Sequence, residues 1–201
     1  MHGMSKGEQT RSAILEAALD QASVAGFESL TIGSLAERTG LSKSGLFAHF
    51  GSREDLQVAA IEAAAQRFAE TVFMPALKAP RGLPRIRALF EHWLDWTRRT
   101  GLSHGCPMQA AAIEFDDRPG PVRDAVAGHY ERLEHDLARA VRLAAEQGHL
   151  RPDADVEQFV FDMLGVIFAY YHSARLLRHD DAATRARAAF ERLVTAASQP
   201  D

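Results

Sequence analysis

Cysteine is almost missing from this sequence: Cys106 is the only one in 201 residues. No intramolecular disulfide can form, which fits a reducing compartment, and a cytoplasmic location is expected. No apolar run approaches the ~20 residues that a membrane span needs, and no secretory pattern opens the chain. Strand-like alternation is lacking, and no segment repeats. Catalytic signatures are lacking too. There is no Gly-rich phosphate loop, no His-Glu-x-x-His and no nucleophile elbow, and Asp116-Asp117 reads as a loop pair. His104-x-Cys106 is too sparse for a metal site. Neither an enzyme, a metal nor a cofactor is expected.

Positive charge is also scarce. The chain carries a formal charge of −4, and Met1 to Leu56 holds five basic against seven acidic residues, a balance of −2. That is not the basic domain of a generic nucleic-acid binder. Any grip on DNA would depend on Lys43, His49, Arg53, Lys6 and Arg11 sharing one face, with Glu16, Asp20 and Glu28 elsewhere. Such a grip would weaken steeply with salt.

What is present is helix. The composition is 46% hydrophobic and 25% charged, ordinary for a globular chain, and apolar residues recur at helical spacing. The class is all-α. The most informative stretch is Thr31 to Phe50, TIGSLAERTGLSKSGLFAHF. Thr31 is a good N-cap for a short helix carrying Ile32, Leu35 and Ala36 to about Arg38. Gly40 supplies a sharp turn, and Ser42 can cap a second short helix carrying Leu46, Phe47 and Phe50. Two short helices joined by a Gly-containing turn form a helix-turn-helix, whose second helix enters the DNA major groove. Its exposed face would hold Lys43, Ser44 and Gly45, with Ala48 and His49 at the far end. Gly45 is costly in mid-helix. Close approach to DNA explains it, and so does tight packing on the first helix.

The run from about Thr10 to Leu56 resembles the DNA-binding domain of the tetracycline-repressor (TetR) family of bacterial transcription regulators. The matching pieces are an apolar first helix, Gly26-Phe27, the Thr-capped second helix, Gly45-Leu46-Phe47, His49-Phe50, Ser52, a basic residue and Leu56. The resemblance implies a three-helix DNA-binding domain over residues 1–56. A larger helical domain over 57–201 would bind an effector and dimerise, for about nine helices in all. It implies operator contacts from Thr31, Ser42, Lys43, Ser44, Gly45, Phe47, His49 and Arg53. Phe47 stands where the family usually has Tyr, so it keeps a ring for packing or a thymine methyl and loses a phosphate donor. His49 and Arg53 stand at phosphate-contacting positions. Arg53 opens a helix that Ser52 and Asp55 can cap.

Before this head, Met1 to Gly7 is short and polar and is expected to fray. The first helix should open at Gln9 or Thr10 and bury Ile14, Ala18 and Ala22 until Gly26. After it, the helix opened at Ser52 to Asp55 should carry its apolar pattern from Leu56 through Phe68 and Phe73 and break at Met74-Pro75. In the family such a helix is the lever of induction. Ala79 to Pro84 is a breaker, and a helix follows to Gly101. Short and long helices start near Pro107 and Val122, the second stopping at Gly148. Asp153 or Asp155 should cap a helix from Val156 to Leu177 that is apolar nearly all round, hence buried on two sides. A last helix begins at about Ala182.

The resulting expectation is a transcriptional regulator, a repressor, that binds a palindromic double-stranded operator as a homodimer and is released by an unidentified small molecule. Effector-pocket candidates are Phe90, Trp93, Trp96, Met108, Phe115, Phe168, Tyr171 and His172, with His92 and Gln109 as further polar groups. Dimer candidates are Phe159, Met163, Ile167, Phe190, Leu193 and Val194. Two alternatives stay open: an all-helical adaptor without DNA binding, and a regulator sensing oxidants or electrophiles through Cys106.

Overall fold

A computed structural model describes residues 5–102 and 105–198, which form nine α-helices and no strand. These are α1 Lys6–Ala25, α2 Ile32–Thr39, α3 Lys43–Phe50, α4 Arg53–Phe68, α5 Leu83–Arg99, α6 Pro107–Phe115, α7 Pro121–Glu146, α8 Val156–Tyr171 and α9 Ala182–Ala197. They fall into two compact units. One takes the described residues of Met1–Arg67 and Gly101–His129, and the other those of Phe68–Thr100 and Tyr130–Asp201.

In the first unit, α1 starts four residues before the expected Thr10. Ser5 caps it, accepting from the Glu8 N–H, while the Glu8 carboxylate accepts from the Ser5 N–H at 2.7 Å. That reciprocal pair brings Ser5 to Gly7 into the start of the helix, and Met1 to Met4, the rest of the segment expected to fray, lie outside the described residues. The Ser5 N–H also holds the Glu8 carboxyl below its usual range. Ile14, Ala18, Leu19 and Ala22 are buried. Gly26 ends the helix at φ +75°, a backbone angle open to glycine. Thr31 caps α2 through the Ser34 N–H, Gly40 ends it in the left-handed region, and Ser42 caps α3 through the Gly45 N–H. α6 is capped by a thiol, since Cys106 Sγ accepts from the Gln109 N–H at 3.4 Å. His104, expected beside that thiol, lies outside the described residues.

The second unit corrects the break expected at Met74-Pro75. The helical path of α4 continues through a π turn, Ala69–Phe73, and a last α turn, Met74–Ala76. Pro75 has no N–H to give the carbonyl of Thr71 one turn back, and Arg99 Nη1 reaches that oxygen at 3.5 Å. The wider π turn lets the chain pass the proline ring. A second π turn, His172–Leu176, follows α8. Asp155, and not Asp153, caps α8 through the Gln158 N–H at 2.9 Å. α5 has no cap from its own chain neighbourhood; His149 Nδ1 accepts from the Leu83 N–H at 3.3 Å instead.

The core of this unit is aromatic. Phe90 and Phe190 stack with centroids 4.1 Å apart and planes within 7°. Trp93 and Trp96 each meet Phe68 edge-on, at 5.0 and 5.3 Å. Tyr170 and Tyr171 donate to the carbonyls of Leu94 and Trp93. The α8–α9 pair supplies Phe159, Met163, Ile167, Phe190 and Val194 to this interior. Phe190→Ala should therefore destabilise the protein by about 3–5 kcal/mol in urea unfolding. A loss below about 1 kcal/mol would mean that the stacked pair is not part of the core.

Candidate nucleic-acid interface

The turn between α1 and α2 decides where the helix-turn-helix sits. Residues Phe27–Ser29 make one 3-10 turn, and each carbonyl from Gly26 to Leu30 is claimed. Gly26 O accepts from Ser29 Oγ at 2.7 Å, and Phe27 O from Gln57 Nε2 at 2.8 Å. Glu28 O accepts from Arg53 Nη2, Ser29 O from Gln21 Nε2 at 2.8 Å, and Leu30 O from Arg53 Nε at 3.0 Å. An unpaired carbonyl away from water is costly, and these bonds tie the turn to α1 and α4 just ahead of Thr31. Gln57 and Gln21 were not singled out from the sequence. The signal for Gln57 was there: it shares a helical stripe with Ala60, Ile61 and Ala64, all buried. A polar residue on such a stripe implies a buried hydrogen bond.

The expected contact residues spread along the ends of α2 and α4 and over α3. Thr31 Oγ1 accepts from the Ser34 N–H at 3.0 Å, and Ser34 Oγ accepts from the Thr31 N–H at 3.1 Å. Ser42 and Ser44 hydroxyls lie 3.1 Å apart at the exposed start of α3, beside the exposed Lys43. Phe47 is 55% exposed, so it packs little and offers its ring outward. His49 is half-buried, with its ring 6.2 Å from that of Phe50. The guanidinium of Arg11 lies 5.1 Å from the Phe50 ring and joins α1 to the end of α3. At Gly45, an added Cβ would meet only Ser42 Oγ, at 3.1 Å. Packing on the first helix is therefore not the reason for this glycine.

Five of the seven acids of the head have partners, two of them cations from outside residues 1–56, Arg67 and Arg118. Glu16 binds Arg67, Asp20 lies 3.7 Å from Arg38, and Glu28 lies 3.3 Å from Arg53 and 3.1 Å from Arg118. Glu8 and Asp55 serve helix starts, Asp55 accepting from Ser52 Oγ at 2.7 Å. No ion pair among the described residues involves Lys43.

Two family models match this chain. The model for bacterial regulatory proteins of the tetR family matches residues 14–61, and that for the tetracyclin repressor-like C-terminal domain matches residues 82–190, more than half of the chain. The chain belongs to the TetR family. It is a DNA-binding transcriptional regulator, of a family that binds operator DNA, dimerises and typically responds to ligands. The family is one of regulators, generally non-enzymatic. A TetR-family regulator from Chloroflexus aurantiacus J-10-FL is 26% identical, covers 96% of both chains and superposes with a TM-score of 0.83. One from Cytophaga hutchinsonii shares the fold over the whole of both chains, at 18% identity and TM-score 0.86. One from Agrobacterium tumefaciens shares it at 20% identity and TM-score 0.80, over 96% of this chain and all of that one. No curated protein matches the sequence. No described helix is long and apolar enough to cross a membrane.

The other expected sites of this TetR-family chain are placed differently from the head. Phe90, Trp93, Trp96 and Tyr171 are interior residues of the second unit, while Met108 and Phe115 belong to the first. Phe168 faces Tyr130 edge-on at 6.5 Å, and His172 is exposed. His92 sits 2.9 Å from Arg99, and burial and that guanidinium both hold its pKa below the ordinary value. A groove of ≈ 410 Å³ between α7 and α8 is lined by Ala138, Val160, Phe161 and Leu164 together with charged residues that include Glu131 and Glu134. None of the effector candidates lines it. Of the dimer candidates, Phe159, Met163, Ile167, Phe190 and Val194 are buried within the protomer. Leu193 is half-buried. The outward apolar residues of α8 are Phe161, 71% exposed, and Phe168, so this helix is not covered all round by its own chain.

Gly45→Ala should leave the thermal midpoint within a few degrees, since helix propensity gains about 1 kcal/mol against a crowded cap. Its operator affinity should fall. Wild-type affinity in a DNA titration would show that no DNA atom approaches this position.

Proposed function

We propose that this regulator is a homodimeric repressor, acting in the cytoplasm, that places α3 of each copy in successive major grooves of a palindromic operator. The observation that carries this is the α3 surface. It is exposed, holds Lys43 outside any ion pair of the described residues and Phe47 with its ring mostly in the open, and includes Gly45, where an added Cβ would meet only the Ser42 cap. Lys43 would read a base edge, Phe47 a thymine methyl, and Thr31, Ser42 and His49 the phosphates. Arg53 also suits phosphate, with one face of its guanidinium already fixed by two carbonyls. Functionally the head is residues 1–56 and the remainder, 57–201, serves dimerisation and effector response. Exposed Phe161 and Phe168 support α8 as part of the face toward the second copy.

Release by a small molecule would be a population shift, in which the effector binds better to a form with wrongly spaced recognition helices. Trp96 supports an effector site in the second unit. Its Nε1 is fully buried and has no hydrogen-bond partner. Such an orphan donor costs about 1–3 kcal/mol, which a ligand acceptor would recover. Cys106 is buried and spends its sulfur on a helix cap, the setting of a structural thiol.

Gel-shift titration on the promoter region next to its own gene tests the reading. Lys43→Ala should cost about 1–3 kcal/mol of specific binding and make the salt dependence shallower. Equal shifts by both proteins would move the base contacts off Lys43, and no shift at low salt would favour a helical adaptor. Trp93 and Trp96 are the only tryptophans. An effector that releases operator should therefore change the intrinsic fluorescence, and Trp96→Phe should weaken that effector while leaving operator affinity intact.

A further inference from the structure

We propose that Glu114 and Arg118, one in α6 and one just after it, position the operator-reading head from outside the helix-turn-helix. They do so by fixing the Gly26–Leu30 turn and, through Glu28, the Arg53 guanidinium. The inference rests on residues 31–53 being the DNA surface.

The contacts are specific. Glu114 Oε2 accepts from the Glu28 N–H at 3.0 Å. Glu114 Oε1 fills the space that a side chain on Gly26 would need, lying 1.7 Å from where its Cβ would stand. Gly26 thus meets two demands, its positive φ and the seat of a carboxylate. The Glu28 carboxylate is then divided: Oε1 lies 3.1 Å from Arg118 Nη1, and Oε2 lies 3.3 Å from Arg53 Nη2. Arg118 is itself braced, with its guanidinium 5.8 Å from the ring of the buried Phe115.

The electrostatics give the arrangement a direction. A carboxylate beside Arg53 competes with a DNA phosphate for the same guanidinium. Arg118 draws off part of that carboxylate, so Arg53 stays available while its two carbonyl partners hold it in place. Removing Arg118 leaves Glu28 to Arg53 alone. Removing Glu114 frees the Glu28 N–H and loosens the turn from which α2 starts. Exposed ion pairs of this kind contribute little to stability, so their effect should fall on DNA binding and not on folding.

The test is operator binding by the full chain, as wild type, Glu114→Ala, Glu114→Gln and Arg118→Ala, with the thermal midpoint of each. Glu114→Ala and Arg118→Ala should each bind about tenfold more weakly, the scale of one charge-assisted hydrogen bond. Arg118→Ala should keep its midpoint and lose about one unit of salt slope as Arg53 is taken up by Glu28. Glu114→Gln keeps an oxygen for the Glu28 N–H and should stay close to wild type. Unchanged affinity in both alanine variants would overturn the proposal. So would losses that Glu114→Gln shares and that follow the thermal midpoints, because a purely structural role predicts that pattern. Should Glu114→Ala fail to fold, Arg118→Ala carries the same decision from an exposed position. Absence of binding by the wild type would instead remove the DNA-surface reading itself, and this inference with it.

Discussion

Five consecutive carbonyls, Gly26 to Leu30, must find donors in the short space between α1 and α2, and the rest of the head follows from how they do so. Gln21 from α1, Gln57 and Arg53 from α4, and the turn's own Ser29 supply them. With those bonds made, Thr31 can only begin α2 in one direction, and Gly40 and Ser42 then set α3. A helix-turn-helix is often described by its two short helices. Here the determinant is the segment before them, because two eight-residue helices are too short to hold their own geometry.

The same turn explains how a head with a charge of −2 can serve a DNA-binding protein. Five of its seven acids have partners within the protein. Glu16, Asp20 and Glu28 bind Arg67, Arg38 and the Arg53–Arg118 pair, and Glu8 and Asp55 cap helices. Lys43, at the start of α3, enters none of these pairs, whatever the sum over the domain. Net charge counts residues, while phosphate senses only the potential within about a Debye length, ~10 Å at 0.1 M salt.

In the second unit, order and irregularity meet at one turn of α5. Trp93 and Trp96 pack on Phe68, immediately before the π turn that carries the chain past Pro75. Tyr170 and Tyr171, immediately before the other π turn, bond the carbonyls of Leu94 and Trp93. The buried Nε1 of Trp96 has no hydrogen-bond partner. π turns are uncommon and gather at functional sites, and both of these lie in the second unit.

Much of this protein was legible in its sequence, because caps and breakers act within four residues. Thr31, Ser42 and Ser52 start helices where they should, and Gly26, Gly40 and Gly148 end them or follow them in left-handed geometry. The identity of α3 as the outward helix was legible for the same reason. What the sequence could not supply is partnership at a distance. Gln57 reaches Phe27 over 30 residues, Arg53 reaches Leu30 over 23, and Glu114 reaches Glu28 over 86. The helix through Pro75 likewise needed Arg99, 28 residues beyond Thr71, to take up an orphan carbonyl. The apolar residues of α8 and α9 announced burial but not its direction. A helical period marks a stripe, and only the packing of Phe190 on Phe90 decides that this stripe faces inward, leaving Phe161 to the surface.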